Sequence, residues 1–519
     1  MRSTFHGLET ARRGMFTQQT ALQTTGHNIA NANTPGYSRQ RVNFVQTEAY
    51  PAASMNRPQI PGQMGTGVAA GSVQRVREGF LDTQFRGENN KLGYWDARSE
   101  ALEKMEDIMN EPSDNGLAKT LDRFWQSLHD LSASPEDSGA RSVVRQRGLA
   151  VAETFNYLSN SLTAIQGDIK AQADIATKEL NALLDDINSI NKQISEVEPH
   201  GYLPNTLYDE RDKLVDELST LVNIEVTTKP SGGKSDPQAA GLYDIKMKDQ
   251  NGKEYMLLDS KTAKVNHLTI NYADAGNKLA DTITVEGTPT SINIVDFTNG
   301  KLKGMIESYG YNDNGVVNGV YPDMLSKLDQ MAYHFATKFN EVHSSGWSLD
   351  SIQDHEKTPM TQPHAYDFFD FNSVTQFDKD NVTGAAKSLV LSKDMDKLNH
   401  IAAATNPFGG DGSNALLLAD VKNNDLGFPG STASLQSYYE GAIGKMAVDA
   451  EQAERLTSNS SVLTDSVQQR RLSVSGVSLD EEMTNMIQFQ HAYNASARNI
   501  TVIDEMLDKI INGLGVGGR

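Results

Sequence analysis

Residues 155–197 read FNYLSNSLTAIQGDIKAQADIATKELNALLDDINSINKQISEV, and no proline interrupts the chain from Glu136 to Glu198. Apolar residues recur there at Phe155, Leu158, Leu162, Ile165, Ile169, Ala173, Ala176, Leu180, Leu183, Ile187, Ile190, Ile194 and Val197. The steps alternate three and four, except at Ile165, Ile169 and Ala173, where two fours follow one another. That is a heptad seam with one stutter, and it predicts one long helix. A coiled coil and an amphipathic bundle helix both satisfy this pattern.

Outward from this seam, Phe80 to Met109, Leu117 to Leu131 and Thr206 to Leu221 carry helical spacing, with breaks at Asn115-Gly116 and Pro199 to Pro204. A second proline-free stretch runs from Gly430 onward, where Leu435, Tyr439, Ala442, Met446, Ala453, Leu456, Leu463, Val467 and Val474 mark another long helix. Helical spacing also runs from Leu302 to Val342 around a Gly/Asn turn at Asn312 to Gly319. Between the helical blocks, Ile224 to Phe297 is rich in Val, Ile, Thr and Tyr. Asn251-Gly252 between Tyr243–Met247 and Tyr255–Leu258 predicts a hairpin, and Asn271 to Val285 and Ser291 to Phe297 read as further strands. Leu349 to Pro429 is mixed, with turns at Pro359 and Pro363 and a loop at Phe408 to Gly412.

The fold class is α+β multidomain: a long-helix bundle built from both N- and C-terminal parts, with inserted β-rich domains. The expected segments are an N-terminal helix and extended element (1–80), a helical domain (81–223) and a β-rich insert (224–300). A helical segment (301–348), a mixed insert (349–430), a return helix (431–475) and a C-terminal helix (476–519) complete the chain.

At 519 residues the chain has room for several cores. Its formal net charge of −20 argues against nucleic-acid binding, which needs concentrated Lys and Arg. The longest apolar runs, such as Ala415 to Ala419, are far short of a membrane span. Cysteine is absent, which excludes disulfides, thiol nucleophiles and cysteine-rich zinc sites. Arg2, Arg12 and Arg13 interrupt any secretory h-region, so retention in the cell or exit without a cleaved signal peptide is expected.

Both extremities are long and amphipathic. Phe5, Leu8, Ala11, Met15, Leu22 and Ile29 share one helical face. Leu479, Met483, Met486, Tyr493, Ala497, Ile500, Leu507, Ile511 and Leu514 share another, widened by Ile503, Met506 and Ile510. A lone helix is marginal in water, so these ends need partners. Residues 1–47 hold five arginines against Glu9, and residues from Leu479 onward hold six acidic against three basic side chains. Opposed charge favours pairing of the two ends, and a coiled-coil-like pair on assembly is expected.

The segment Asn28-Ile29-Ala30-Asn31-Ala32-Asn33-Thr34-Pro35-Gly36-Tyr37-Ser38-Arg39 makes a stop and a turn. Asn31 and Asn33 can close a helix end, Pro35 forbids its continuation, and Pro35-Gly36 suits the centre of a type II turn. This segment resembles the N-terminal signature of the bacterial flagellar rod and hook axial protein family. Gly65-Thr66-Gly67-Val68 with Val73-Gln74-Arg75-Val76-Arg77 is similar to the β element that follows it there. Ser475 to Met483, Tyr493 to Arg498 and Asp504 to Asp508 resemble the family's C-terminal motif. Phe339 to His343, Ile401 to Asn406 and Gly412 to Leu416, with the long helical block before Ile224, are most similar to the family's hook–filament junction members.

That resemblance implies a non-enzymatic extracellular component of the flagellum at the hook–filament junction, required for filament assembly and exported by the flagellar type III system. It implies assembly with copies of itself in a ring-like helical zone. The implied partners are hook protein, a second hook-associated junction protein and an export chaperone at the C-terminal helix, with no cofactor, nucleic acid or membrane insertion. Another rod or hook axial protein is the alternative, and an enzyme carried by the central insert a more distant one.

Catalytic motifs are missing. There is no His-Glu-x-x-His, Gly-x-Ser-x-Gly or Walker A pattern, and Gly513 to Gly518 reads as a flexible tail. His334 and His343 suit structural or surface roles, and His491 an interface. Asp313-Asn314-Gly315 lacks the Glu that completes a calcium loop and reads as a turn. Asp185/Asp186 and Asp480/Glu481/Glu482 read as solvent-facing or first-turn helix charges.

Overall fold

The computed structural model describes residues 5–51, 54–58, 61–109, 116–273, 279–372, 377–379 and 381–513. The expected break at Asn115, the interface position Leu514 and most of the Gly-rich tail lie outside these residues.

The chain opens with helix α1 (Phe5–Ala30), an antiparallel hairpin of β1 (Gln40–Gln46) and β2 (Val68–Arg75), and helix α2 (Gly79–Met109). Helices α3 (Leu117–Ala133), α4 (Ser138–Val197) and α5 (Asn205–Leu221) follow. Strands β3 (Ile224–Lys229), β4 (Leu242–Lys248), β5 (Glu254–Asp259) and β6 (Lys264–Val265) form one antiparallel sheet in that order. A second sheet holds β7 (Leu268–Tyr272), β8 (Ala280–Val285), β9 (Ile292–Asn293), β10 (Tyr311–Asp313) and β11 (Val316–Asn318). Helix α6 (Lys301–Tyr309) sits between β9 and β10. Helix α7 (Val320–Ser345) leads into a mixed stretch with α8 (Leu349–Lys357), α9 (Ala385–Ser388) and α10 (Ser413–Asp420). The chain closes with α11 (Leu435–Ser475) and α12 (Leu479–Gly513).

The heptad seam is the spine. Helix α4 spans 60 residues, about 90 Å at the usual rise, and Asp137 caps its start by accepting from the amides of Gly139 and Ala140. Every seam position is buried except Ile165 and Val197, which are half-buried. Its partners change along its length, so it is a bundle helix, not one strand of a uniform coiled coil. Gly148 lies against Phe368, within an aromatic core of Phe124, Trp125, Phe335, Phe339, Phe368 and Phe369. At the stutter, Gln166 donates to the Tyr309 carbonyl of α6 (2.8 Å) and Lys170 lies over the Tyr272 ring of β7 (3.8 Å). Further on, Asn181 donates to Leu268 O and Asn191 to Tyr243 O, seating both sheets on the helix.

Two expected strands are corrected. Asn271 to Val285 is not one strand: β7 and β8 pair antiparallel, with Ile270 opposite Ile283, because a 15-residue run exceeds what one ordinary strand spans. Ser291 to Phe297 shrinks to β9; the amides of Asp296 and Phe297 bond to Asn293 and Ile294, turning the chain so that Ile294 and Phe297 enter the core. The Asn251-Gly252 hairpin forms as β4–β5, with Gly252 at φ 81°. Asp313-Asn314-Gly315 is a hairpin turn with positive φ at Asn314 and Gly315.

Helix α7 carries two buried ionisable groups held by backbone. Asp329 accepts the amides of Gly384 (2.8 Å) and Ala386 (2.9 Å), and burial pushes its carboxyl up to about 6 against those bonds. His343 accepts the Ala402 amide on Nε2 (3.0 Å) and faces the Tyr366 carbonyl through Nδ1 (2.7 Å); burial pushes it down to about 4. Asp329 therefore contributes stability that is full below its ordinary 3.8 and is lost as pH rises through about 6. His343 does the opposite: its contribution is full above 6.5 and is lost as pH falls through about 4. The two slopes oppose one another between those limits. Asp329→Asn removes one of them, so between pH 6.5 and 4 the variant should lose about 2 kcal/mol more unfolding free energy than the parent. Urea unfolding at both pH values measures the difference, and parallel profiles would refute the assignment.

Candidate assembly interface

The two extremities pair with each other inside one chain. A Cβ added at Gly7 would lie 3.2 Å from Ile503 Cδ1, one at Gly14 would lie 3.1 Å from Ser496 Oγ, and Asn28 donates to Glu482 Oε2 at 3.1 Å. Each pair of positions adds to 510, so α1 and α12 run antiparallel in constant register. The inner column of α1 is Gly7, Gly14, Ala21 and Asn28, seven apart, and the register sets Ile503, Ser496, Phe489 and Glu482 of α12 opposite. Small residues on one helix admit larger ones on the other, a close-packed heptad seam. The hairpin supports the pair: Thr17 donates to Val68 O, and Phe44 stacks edge-on against Phe489 with centroids 6.0 Å apart.

The expected interface residues divide across this seam. Leu8, Met15, Leu22 and Ile29 flank the inner column and are half-buried, as are Met486, Tyr493, Ala497, Ile500 and Leu507. Phe5 (62%), Leu479 (50%), Met483 (58%) and Ile511 (71%) stay exposed, with Phe16, Ile487, Val502, Met506 and Ile510. Pairing within the chain therefore covers only part of the apolar surface of the two helices. Reading the largest side chains as the contact face missed the glycine column, whose seven-residue spacing was its signal.

The signature turn forms as the residues dictate. Asn31 donates from its side chain to His27 O, and Thr34 donates its amide to Asn31 O and its hydroxyl to Asn31 Oδ1. Tyr37 N closes a turn onto Thr34 O across Pro35 and Gly36, with Gly36 at φ 84°. The Tyr37 hydroxyl donates to Asn28 Oδ1 at 2.7 Å; burial, with Asp209 and Glu482 nearby, raises its pKa and keeps it a donor. Asn33 is exposed and, with Thr34, Pro35, Gly36 and Tyr37, lines a cleft of about 480 Å³ bordered on its other side by Lys213, Glu217, Gln468 and Leu472.

Beneath the turn lies a charge cluster that composition sums could not locate. Arg75 pairs with Asp209 (2.8 Å) and Asp212 (2.9 Å); Arg77 pairs with Asp82 (2.7 Å) and Asp212 (3.2 Å). Arg86 pairs with Asp216 (2.8 Å) and Asp212 (3.4 Å), and Arg471 with Asp82 (2.8 Å) and Asp216 (2.5 Å). Burial alone would push the Asp212 carboxyl up, but Arg77, Arg75, Arg86 and Arg211 outweigh it and hold it far below the usual carboxylate range. The carboxylates raise Arg77 in turn, against its own desolvation. Asp209, Asp212 and Asp216 fall on one face of α5 at three- and four-residue steps, which was legible; their arginines come from three distant segments, which was not. The acidic first turn of α12 also needs correcting. Asp480 and Glu481 are exposed, but Glu482 is buried because Arg39 binds it at 2.8 Å while reaching Glu481 at 2.6 Å.

The ends define the class. Residues 8–37 match the family described as Flagella basal body rod protein, and residues 468–513 match Flagellar basal body rod FlgEFG protein C-terminal. Residues 102–356 match Flagellar hook-associated protein FlgK helical domain. Flagellar hook-associated protein 1 of Bacillus subtilis is 45% identical over the full length of both chains. That of Escherichia coli is 24% identical over 97% of this chain and 99% of its own. The chain belongs to the flagellar hook-associated protein 1 family. The solved flagellar hook junction protein FlgK from Burkholderia pseudomallei shares the fold, with a TM-score of 0.59 at 13% identity over 76% of this chain and 100% of that one.

Proposed function

We propose that this chain is a non-enzymatic structural subunit at the junction of flagellar hook and filament. In this reading the α1/α12 pair enters the wall of a tube and packs against copies of itself, hook protein and a second hook-associated protein. The observation that carries it is the set of apolar side chains left uncovered along that pair, from Leu479 and Met483 at the start of α12 to Ile510 and Ile511 near its end. Apolar surface left exposed around a paired helix is what neighbouring subunits would bury. The signature turn ends α1 and redirects the chain toward the helical body, so the body lies outside the tube. Export through the flagellar type III system, with a chaperone on α12 until assembly, accords with the same exposed side chains. No helix among the described residues is long and apolar enough to cross a membrane.

A strain lacking the gene tests the reading. Intact hooks without filaments, and unpolymerised filament protein in the medium, are expected. Normal filaments on normal hooks would end it.

A further inference from the structure

Helices α4 and α11 each present an exposed face with charges at its ends, and the two faces are complementary. On α4, Asp168, Ala171, Ile175 and Glu179 follow at steps of three and four and so share one face; on α11, Lys445, Val448, Gln452 and Arg455 do the same. All eight are exposed, and the two large apolar side chains, Ile175 and Val448, are each 62% exposed. A shift of 277 residues carries Asp168 to Lys445, Ala171 to Val448 and Ile175 to Gln452, and brings Glu179 within one residue of Arg455. The same shift sets Ala164 opposite Gly441, where an added Cβ would meet nothing within 4 Å, so a second helix can approach closely there. Among the described residues, none of the four charged side chains has an ion pair or side-chain hydrogen bond within the chain.

The faces lie at one level of the body, on helices separated by others. Helix α4 packs on α6, α6 on α2, and α2 on α11. Gln166, one turn from Asp168, reaches the Tyr309 carbonyl at the end of α6, and Glu307 on that same turn lies 3.6 Å from Arg98 of α2. Glu307 and Arg98 line one cleft with Lys445. The two helices also run in the same direction. Helix α5 runs against α4, with Tyr208 meeting Glu198 and Arg211 meeting Asn191, but runs along α2, with Arg86 meeting Asp216 and Asn90 meeting Ser219. Helix α11 runs against α2, since Arg471 binds Asp82 while Met446 lies beside Leu102 and Met105.

We propose that, around the tube, the α4 face of one copy docks on the α11 face of the next, with Asp168 against Lys445, Glu179 against Arg455, and Ala171 and Ile175 buried on Val448. This rests on the reading that the chain assembles with copies of itself, and adds which faces of the helical body meet. An acidic-ended face on one helix and a basic-ended face on another make a head-to-tail contact, which repeats from copy to copy, whereas a contact between like faces stops at two. A copy turned about the tube axis keeps its level and its helix direction, so its α11 arrives beside α4 at the matching height and running the same way. Opposite charges at both ends of the contact set its register, and a slipped or reversed neighbour would bring like charges together.

The absence of cysteine makes the test direct. The full-length chain carrying Ala171→Cys and Val448→Cys is introduced into the deletion strain, hook-bearing particles are purified, and the thiols are oxidised. A ladder of cross-linked multimers is expected, because each copy offers a different thiol to each of its two neighbours; either single variant should stay monomeric. A missing ladder in particles that contain the double variant overturns the proposal, and so do dimers from a single variant, because like faces would then meet. Charge reversal is the second arm. Asp168→Lys with Glu179→Lys should cut the number of filaments per cell about tenfold, and adding Lys445→Glu and Arg455→Glu should restore about half of them. All four side chains are exposed, so each variant should keep the parent's far-ultraviolet circular dichroism. Parental filament numbers in the first variant, or no recovery in the second, overturn the proposal. Normal filaments in the deletion strain would end the flagellar reading, whereas a missing ladder in particles that hold the chain ends only this contact.

Discussion

Asp212→Ala is expected to destabilise the helical body by about 3–5 kcal/mol, the largest effect of any single substitution considered for this chain. The carboxylate is buried, and Arg75, Arg77 and Arg86 all lie within 3.4 Å of it, with the Tyr243 hydroxyl at 2.8 Å. Truncation removes one of the carboxylates paired with each of three nearly dry guanidiniums at once, leaving Arg75 with Asp209, Arg77 with Asp82 and Arg86 with Asp216. It also strips the tyrosine of its acceptor, and an unsatisfied buried donor carries its own desolvation penalty. Asp212→Asn keeps the shape and one acceptor and should fall between the two. Urea midpoints followed by far-ultraviolet circular dichroism decide this; a loss under 1 kcal/mol would mean that water reaches the cluster and screens it.

The second large effect is on assembly. A chain ending at Ser478 lacks α12 and with it Ile503, Ser496, Phe489 and Glu482, the half of the inner seam that α1 needs. Its body should keep its helices, because α11 ends at Ser475 and packs along α2 without help from α12: Arg471 binds Asp82, and Met446 lies beside Leu102 and Met105. Introduced into the deletion strain, this chain should restore no filaments and be absent from purified hooks. Filaments at normal number would mean that α12 is dispensable, and the proposed role of the terminal pair would fail with it.

Much of this architecture could be read before any coordinates. The seam of α4, the return helix α11 and the Asn-Gly hairpin announce themselves because each rests on local spacing, and tertiary contacts agree with it. The interface was half legible. Apolar volume drew attention to Leu8, Met15, Leu22 and Ile29, but what decides which column of α1 faces α12 is how closely two backbones can approach, and that selects Gly7, Gly14 and Ala21. The charge cluster was least legible: Arg39, Arg75, Arg77, Arg86 and Arg471 are unremarkable one at a time, and only folding brings them to a common set of carboxylates.

The antiparallel register of α1 and α12 bears on the order of events during folding. Gly7 meets Ile503, roughly 500 residues along the chain, so closing this contact carries nearly the largest loop entropy that the polypeptide can present. Everything between can collapse around α4 while the first helix still has no mate. The zipper needs α12 to be present, so a partly synthesised or partly threaded copy that lacks α12 cannot fasten it. Such a chain would stay open at its extremities until the last residues arrive.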